Sequence, residues 1–349
     1  MSIILNPYRY TAAEEGPDPL SMVLRFDVDA GETITIPGRN VSTYSGTVIW
    51  GDGAETSYTT YNDAGLSHQF AEAGVYDVEI TGQFPAIYFN NSGTSRLALT
   101  EVVQWGEVLT ESNQTRGFYG CTSLTGISWS DYMDNLLTEG TYMFYRTGSL
   151  KSLPAGMTLD ALTNGYFMFS YSGLTSLPAG MTMSALTNGS FMFRAATSLT
   201  SLPAEMTLDA LTNGSSMFYQ TKLTSLPAGM TLDALTNGNS MFFKTYLTSL
   251  PAEMTLNAVT NGFGMFFRTS LTSLPTGMTL GALTNGASMF VDTTINTTRY
   301  SQLLVDIESE NPNNSVTFHG GGSKYNAAGG VARAALVSRG WSISDGGPA

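Results

Sequence analysis

Side chains that could catalyse a reaction or bind a metal ion are few in this chain, and they lie far apart. The two histidines are His68 and His319, and His68 has no second histidine, cysteine or carboxylate at ligand spacing. Asp52 lies between two glycines after a predicted strand and could be a calcium ligand or a catalytic acid. An aspartate in such a place more often bonds the backbone amides of its own turn. We therefore expect Asp52 to cap a turn and His68 to be a partly buried strand residue.

An aspartate recurs at one position of a sequence repeat, as the ligands of a calcium row would. Its copies are Asp160, Asp209 and Asp233, but other copies of the repeat carry Ser, Asn or Gly there. A row of metal ligands does not tolerate such replacements. The segment from Gly320 to Lys324, Gly-Gly-Gly-Ser-Lys, has the composition of a phosphate-binding loop without the Walker spacing, so we expect an ordinary turn.

The single cysteine, Cys121, excludes a disulfide within the chain. Later copies of the repeat carry Thr or Ser at the same position, so we expect a small side chain that points inward. With no convergent set of titratable groups, the sequence predicts a protein that is not an enzyme and has no cofactor and no metal site.

A different set of residues predicts binding. The two positions that follow each Met-Phe pair vary freely between copies, and they carry aromatic and basic side chains, which are enriched in contact surfaces. The candidate partner-binding residues are Tyr145, Arg146, Tyr171, Arg194, Tyr219, Lys244 and Arg268. Phe243 and Phe267 occupy the same positions. For these two the sequence leaves two interpretations open, which are contact with a partner and packing beneath the turn as a second core layer.

These candidates are positioned by a repeat that runs from Phe118 to Phe290. Its best copies read Leu-Thr-Ser-Leu-Pro-Ala-Gly-Met-Thr-Leu-Asp-Ala-Leu-Thr-Asn-Gly-x-x-Met-Phe, and its prolines, from Pro154 to Pro275, follow at steps of 24 or 25 residues. The first Leu of each copy precedes the Phe by 19 residues, so all length variation falls after the Phe, in what we interpret as an outer turn. The period predicts a solenoid with stacked Leu, Met and Phe columns, such as Leu223, Leu226 and Phe242. We also expect positive φ at each Asn-Gly and a short strand that ends before each Pro.

The repeat also resembles a known family. The first copy begins Gly117-Phe118-Tyr119-Gly120-Cys121-Thr122-Ser123-Leu124, and with the later Met-Phe and Leu-Thr-Ser-Leu-Pro copies it resembles the BspA-like leucine-rich repeats of bacterial and phage surface proteins. It lacks the Asn of the usual Leu-x-Leu-x-x-Asn segment. The resemblance therefore implies short, flat coils and not a horseshoe with regular helices.

The N-terminal part resembles a second family. Apolar residues alternate with polar ones between residues 20 and 82, as in strands. Within this stretch Trp50-Gly51-Asp52-Gly53, His68-Gln69-Phe70 and Gly74-Val75-Tyr76-Asp77-Val78 resemble the PKD (polycystic kidney disease) domain, a small Ig-like β-sandwich. This resemblance implies a spacer or adhesion module without catalysis.

The predicted fold class is mainly β. We expect an N-terminal arm (1–19), a PKD-like, Ig-like β-sandwich (20–83), a junction (84–116), a BspA-like leucine-rich-repeat-type solenoid of short stacked coils (117–293) and a small α/β C-terminal cap (294–349). In the last segment apolar residues follow the order helix, strand, helix, strand. Such a segment would cover the open end of a repeat array.

The charge is uneven, because residues 1–140 hold 18 acidic and 5 basic side chains while residues 141–293 hold 6 of each. This argues against a nucleic-acid partner, which needs a basic stripe. No stretch approaches the length of a membrane span, so we expect no membrane insertion. Residues 1–10 lack the basic start, apolar run and cleavage site of a signal peptide, which predicts synthesis and folding in the cytoplasm without Sec export.

Together these features predict a non-enzymatic bacteriophage virion protein of tail-fibre, adhesin or decoration type. Its N-terminal region would bind other virion proteins, and its repeat surface would bind a host surface protein, a host glycan or neighbouring virion subunits. The alternative is a bacterial cell-surface adhesin with the same modules.

Overall fold

The computed structural model describes residues 17–349, and the chain divides into two compact units, Met1–Pro154 and Ala155–Ala349. The predicted N-terminal arm lies outside the described residues except for residues 17–19.

A six-stranded sheet forms the centre of the first unit. Its strands have the order β4-β3-β6-β1-β7-β8. They are β1 (Met22–Val28), β3 (Gly46–Ile49), β4 (Glu55–Tyr58), β6 (Gly74–Ile80), β7 (Leu99–Gln104) and β8 (Gly126–Ile127). Antiparallel partners β6 and β7 flank β1, and β8 pairs with β7 in parallel. The apolar side chains of β1 are buried, which explains why this strand lies inside the sheet and not at its edge.

Smaller elements complete the first unit. A separate antiparallel pair is formed by β2 (Thr33–Thr35) and β5 (Ser67–Gln69), and a 3₁₀ turn at Ala64–Leu66 precedes β5. Two short helices, α1 (Ser95–Ala98) and α2 (Asp131–Leu136), lie on either side of β7 and β8 in the sequence. The first copies of the repeat follow, with the rings of Phe118 and Phe144 stacked 5.5 Å apart.

The fold-class prediction, mainly β with an Ig-like β-sandwich and a leucine-rich-repeat-type solenoid, is wrong. Over the part of the chain that the structure describes, helix makes up 12% and strand 17%, in several small sheets and without a closed solenoid. One reason lies in β1, whose second hydrogen-bonding edge is taken by β7, a segment outside the predicted sandwich. The other reason lies in the repeats, whose backbone forms turns where we expected strands.

The repeats of the second unit are joined by an alternating pattern of backbone hydrogen bonds. The amide of Gly165 donates to the carbonyl of Asn188 in the next repeat (2.9 Å), and the amide of Phe169 donates to Met192 (2.9 Å). Between them, the amide of Met168 donates three residues back, to Gly165 (3.0 Å). Every second amide therefore links neighbouring repeats while the others close tight turns. This arrangement leaves a single parallel bridge per repeat, formed by the Asn of each Asn-Gly pair: 164, 188, 213, 237, 261 and 285.

This turn pattern places two residues per repeat in the left-handed region of the backbone. One lies three residues after the Asn, as at Phe191 (φ 60°), and the other lies two residues after the buried Phe, as at Lys244 (φ 55°). Most of these residues are not glycine, although each left-handed residue with a Cβ costs about 1–2 kcal/mol. The hydrogen bonds to the next repeat hold them in this conformation.

The Phe and Met columns form the core of the second unit. The rings of Phe169, Phe193, Phe218, Phe242, Phe266 and Phe290 are fully buried and stack with centroids 5.4–5.7 Å apart. The predicted core residues Leu223, Met230, Leu232 and Leu235 are also fully buried. Leu226 differs from the prediction because it is only half-buried, at the margin of the core.

The prediction of positive φ at Asn-Gly is wrong, since these residues are absent from the left-handed set. The glycine is needed for space instead: a Cβ on Gly165 would lie 2.9 Å from the sulfur of Met192 in the next repeat. The asparagine bonds along the column, as the Asn188 side-chain amide does to Asn164 Oδ1 (2.9 Å). The predicted strand before each Pro is also absent, because only scattered amides of the Leu-Thr-Ser-Leu segment donate to a neighbour.

The C-terminal segment of the second unit has the predicted order of helix, strand, helix and strand. It consists of α3 (Thr297–Glu310), β10 (Thr317–His319), α4 (Ala327–Ser338) and β11 (Ser342–Ser344). The short strand β9 (Asn285–Gly286) of the last repeat pairs with β10, which pairs with β11, all in parallel. Phe318 packs edge-on against Phe290 (6.2 Å), so this segment covers the last ring of the Phe column.

A candidate binding surface on the outer turn

The residues after each buried Phe form the candidate binding surface. We use the name outer-turn surface for the two positions that follow the Phe in the second unit. They are Ser170-Tyr171, Arg194-Ala195, Tyr219-Gln220, Phe243-Lys244, Phe267-Arg268 and Val291-Asp292. Because the second position of each pair is left-handed, at φ 55–59°, the chain turns sharply there.

Three rings of this surface form a row outside the Phe core. Tyr219 stacks on Phe243 with centroids 4.5 Å apart and planes 7° from parallel, and Phe243 stacks on Phe267 at 4.6 Å and 10°. All three side chains are half-buried. Each of the two interpretations left open for Phe243 and Phe267 is thus partly met, since the rings pack on one another and remain partly accessible.

Cations lie against the rings of this row. The Nζ of Lys244 is 5.4 Å from the centre of the Phe243 ring, and the guanidinium of Arg268 is 5.3 Å from the Phe267 ring. A cation over an open ring face gains about 0.5–1 kcal/mol at exposed sites, but Tyr219 and Phe267 cover both faces of Phe243, so this value does not apply to Lys244. Arg268 also pairs with Asp292 of the next repeat (2.7 Å), with both side chains about half exposed. The cations are therefore held along the ring row and do not extend freely into solvent.

Arg194 lies between two tyrosines from neighbouring repeats. Its guanidinium is 5.7 Å from the Tyr171 ring and 5.0 Å from the Tyr219 ring, and it donates a hydrogen bond to the Tyr171 hydroxyl (2.7 Å). Tyr171 itself is exposed, at 41%. The structure thus joins three of the sequence-predicted residues into one cluster, which continues directly into the row of Phe243 and Phe267.

The candidates of the first unit form their own small cluster. The guanidinium of Arg146 is 5.4 Å from the Tyr145 ring. Tyr145 also packs against Tyr119 (4.9 Å) and Tyr142 (5.2 Å). Arg146 is exposed and left-handed (φ 61°), like Arg268 of the outer-turn surface.

A second aromatic pair was missed by sequence reasoning. Phe167 and Phe191, three residues after the Asn of their repeats, stack at 4.5 Å with planes 1° from parallel, and both are half-buried. Later repeats carry Ser216, Ser240 and Gly264 at this position. The signal in the sequence was a phenylalanine at the same position of two successive repeats.

The titratable residues considered for catalysis form a pair in the first unit. Asp52 accepts a hydrogen bond from the amide of Ala54 (3.0 Å), which confirms the predicted turn cap. His68 is a half-buried residue of β5, as predicted, and stacks on Trp50 (5.1 Å). The sequence did not predict the contact between them, in which His68 Nε2 lies 2.7 Å from Asp52 Oδ2.

The remaining candidates for chemistry have structural partners. Asp160 accepts hydrogen bonds from the Thr182 hydroxyl (2.9 Å) and the Ser184 amide (3.0 Å) of the next repeat. Burial acts to raise the pKa of the Asp160 carboxyl, but these two bonds outweigh it, so the pKa is lowered. Cys121 is fully buried, and burial raises the pKa of its thiol.

In the segment from Gly320 to Lys324, backbone amides are used within the protein. The amide of Gly320 donates to Ser344 and that of Gly322 donates to Thr293, while the amide of Gly321 donates to the ring of His319. These bonds make the segment a turn, as expected, and they occupy the amides of all three glycines.

Residues 17–349 contain no group of three or more histidine, cysteine or acidic side chains placed to hold a metal ion. Within the same residues, no helix combines the length and the apolar character that crossing a membrane requires. The helices α3 and α4 have 14 and 12 residues. Comparison of the chain with protein-family models, with curated protein sequences and with solved structures gave no match.

Proposed function

We propose that this chain is a non-enzymatic structural protein of a bacteriophage particle, of tail-fibre, adhesin or decoration type. In this role the outer-turn surface binds the host envelope or a neighbouring virion subunit. The acidic N-terminal region, which holds 18 acidic and 5 basic side chains up to residue 140, contacts other virion proteins.

The observation that carries the proposal is the cluster of Tyr171, Arg194 and Tyr219 with the adjoining rings and cations. Their side chains lie outside the buried Phe column, which fills the core without them. Tyrosine and arginine are among the residues on which binding energy concentrates in protein contacts. Because the rings and cations hold one another in place, little side-chain entropy is lost when a partner binds.

A first experiment tests the location. Particles encoded by the genome that carries this chain are purified and analysed by mass spectrometry, with the host envelope fraction analysed in parallel. We expect peptides of this chain in the particles. Their presence in the host envelope and absence from the particles would refute the virion role and favour a bacterial surface adhesin.

A second experiment tests the surface. Arg146, Tyr171, Lys244 and Arg268 are all left-handed, so each is changed to Asn, which tolerates this conformation better than most residues. We expect nearly unchanged stability and a marked loss of host adsorption or particle assembly.

The matched control also carries four Asn substitutions, at exposed serines of another column: Ser176, Ser201, Ser225 and Ser249. This control should adsorb and assemble normally. If the outer-turn variant also adsorbs and assembles normally, the proposed binding role of the surface is wrong.

A further inference from the structure

The charges of the repeats are sorted by position. Between residues 155 and 291 the cations all follow the buried Phe of a repeat, and the carboxylates all lie between the Pro and the Asn-Gly pair; the next carboxylate, Asp292, lies on the outer-turn surface and pairs with Arg268. The cations are Arg194, Lys222, Lys244 and Arg268, and the carboxylates are Asp160, Glu205, Asp209, Asp233 and Glu253. The outer turn is thus locally positive although the whole chain has a formal charge of −13. A local excess of one sign attracts ligands of the other sign even when the net charge opposes them.

Most of these cations lack a carboxylate partner. Within residues 17–349, Arg268 pairs with Asp292, whereas Arg194, Lys222 and Lys244 form no ion pair. Arg194 and Lys244 are instead held against aromatic rings, which leaves their charge uncompensated. Two of the three cations of the outer-turn surface, Arg194 and Lys244, are therefore kept in place without being neutralised.

The row of stacked rings on the outer-turn surface also favours an anionic ligand. Tyr219, Phe243 and Phe267 are stacked nearly parallel, so Phe243 is covered on both faces and the accessible parts of the row are largely ring edges. The edge of an aromatic ring carries a partial positive charge, and its face a partial negative charge. Stacking of a neutral sugar on either face of Phe243 is therefore blocked, while an anionic group at the ring edges is favoured.

The charges recur along the direction in which the repeats are joined. Hydrogen-bonded neighbours lie about 4.8 Å apart, so Arg194, Lys244 and Arg268 occupy steps one, three and four of a regular series. One exposed ion pair contributes little. A linear polymer with regularly spaced anions gains from several such contacts at once, because each later contact forms within an already bound complex.

From these observations we propose that the outer-turn surface binds a linear anionic glycan whose monomers carry carboxylate or phosphate groups. This inference rests on the proposed function and names the partner class of the same surface. Single-stranded nucleic acid is disfavoured because Tyr219 and Phe267 cover both faces of Phe243, which removes the ring face on which a base would stack. Asp209 and Asp233, which accept bonds from Thr231 and Thr255, lie on another segment of the repeat, and their pairing with the cations of a second copy is tested below as self-association.

The test measures binding of the full chain to polygalacturonate, which carries carboxylates, and to a phosphomannan, a glycan that carries phosphates. Neutral dextran and a single-stranded thymidine oligonucleotide serve as comparison ligands. Two variants alter the charge in opposite directions: Lys244→Asn removes an unpaired cation, and Asp292→Asn removes the partner of Arg268 while keeping its size. Lys324→Gln removes one exposed cation from the C-terminal segment and is the matched control.

We expect at least one polyanion to bind, with a Kd that rises with salt because exposed charges are screened. Lys244→Asn should weaken this binding about 2- to 5-fold and Asp292→Asn should strengthen it by a similar factor, as expected for one exposed charge contact. Lys324→Gln should leave the Kd for the polyanion unchanged. Dextran should not bind. The polyanion that binds more tightly identifies the anionic group.

Four results would overturn the inference. They are absence of binding to both polyanions, equally tight binding of the oligonucleotide, equal weakening by Lys244→Asn and Lys324→Gln, and salt-sensitive self-association that Lys244→Asn abolishes. Loss of adsorption in the four-Asn variant without polyanion binding would keep the proposed function and reject the glycan. Polyanion binding by a protein that is absent from particles would keep the glycan and reject the proposed function.

Discussion

Gly214 lies directly against Met241 of the next repeat, so close that a Cβ on Gly214 would be 2.9 Å from the Met241 sulfur. The same contact recurs at Gly165, Gly189 and Gly238. It explains why the Asn-Gly pair recurs in the repeat even though its backbone is not left-handed. The glycine makes room for a methionine that arrives from the neighbouring repeat.

Replacement of this glycine should therefore destabilise the protein. Gly214→Ala forces the Met241 side chain to move and should cost about 1–3 kcal/mol through overpacking. Thermal or urea unfolding measures the change. The control is Gly229→Ala, where nothing lies within 4 Å of the added Cβ and φ is not positive, so stability should stay equal or rise slightly. Equal effects at the two sites would show that the contact with Met241 is unimportant.

The adjacent residues Phe242 and Phe243 should differ strongly in their contributions to the free energy of unfolding. Phe242 is fully buried in the core column, so Phe242→Ala should cost about 3–5 kcal/mol through lost burial and a cavity. Phe243 is half-buried in the outer row, and Phe243→Ala should cost less than half as much. The midpoints of urea unfolding of the two variants provide the comparison. A larger loss at Phe243 would contradict the assignment of core and surface.

At the left-handed position of Lys244, the stability of the protein should depend on the type of residue that is placed there. Lys244→Val places a β-branched residue at φ 55° and should destabilise by about 1–3 kcal/mol. Lys244→Asn should be neutral or stabilising, because Asn tolerates this conformation. Thermal unfolding of both variants tests this. Equal stability of the Val and Asn variants would mean that the backbone has changed conformation.

Cys121 should be chemically silent in the folded protein. Its side chain is fully buried and its pKa is raised by burial, so little thiolate is available for reaction. With Ellman's reagent at pH 8 we expect no colour from the native protein and one thiol per chain after unfolding in guanidinium. Rapid reaction of the native protein would place the thiol at the surface.

Asp160 should make stability depend on pH in the acid range. The hydrogen bonds from Thr182 and Ser184 lower the pKa of its carboxyl in the folded state, so the unfolded chain takes up the proton first as pH falls. Its contribution is complete above the unfolded value of about 3.9 and is lost as pH falls through the folded pKa. The difference in unfolding free energy between the wild type and Asp160→Asn should thus shrink below about pH 4. A difference that stays constant down to pH 2 would contradict this.

Spacing and residue type were sufficient to predict the period, the buried Phe and Met columns and the turn after the Phe. They did not predict the left-handed residues, because positions such as Tyr171, Gln220 and Lys244 hold residues that usually avoid this conformation. The conformation is imposed by hydrogen bonds to the next repeat, which no single repeat contains. For the same reason β7 was missed as a partner of β1, since strand pairing over this distance leaves no local signal.

The candidate surface was predicted as a set of residues and not as an arrangement. Variation after the Phe pointed to Tyr171, Arg194 and Tyr219, but their mutual contact depends on how repeats stack. The separation of cations and carboxylates into different positions of the repeat could be seen in the sequence alone. Its meaning became clear only when Arg194 and Lys244 were found without carboxylate partners.

The bonds between repeats also bear on how such a chain changes during evolution. From Asn164 to Asn285 each junction uses the same donors and acceptors, so deletion of residues 237–260 would place Asn261 beside Asn213 with an equivalent set. Unequal recombination between the similar coding segments can therefore remove or add a whole repeat without requiring a new set of hydrogen bonds between neighbouring repeats. The number of repeats, and with it the number of cations in the row, becomes a heritable variable that changes in whole steps while the two ends of the array stay the same.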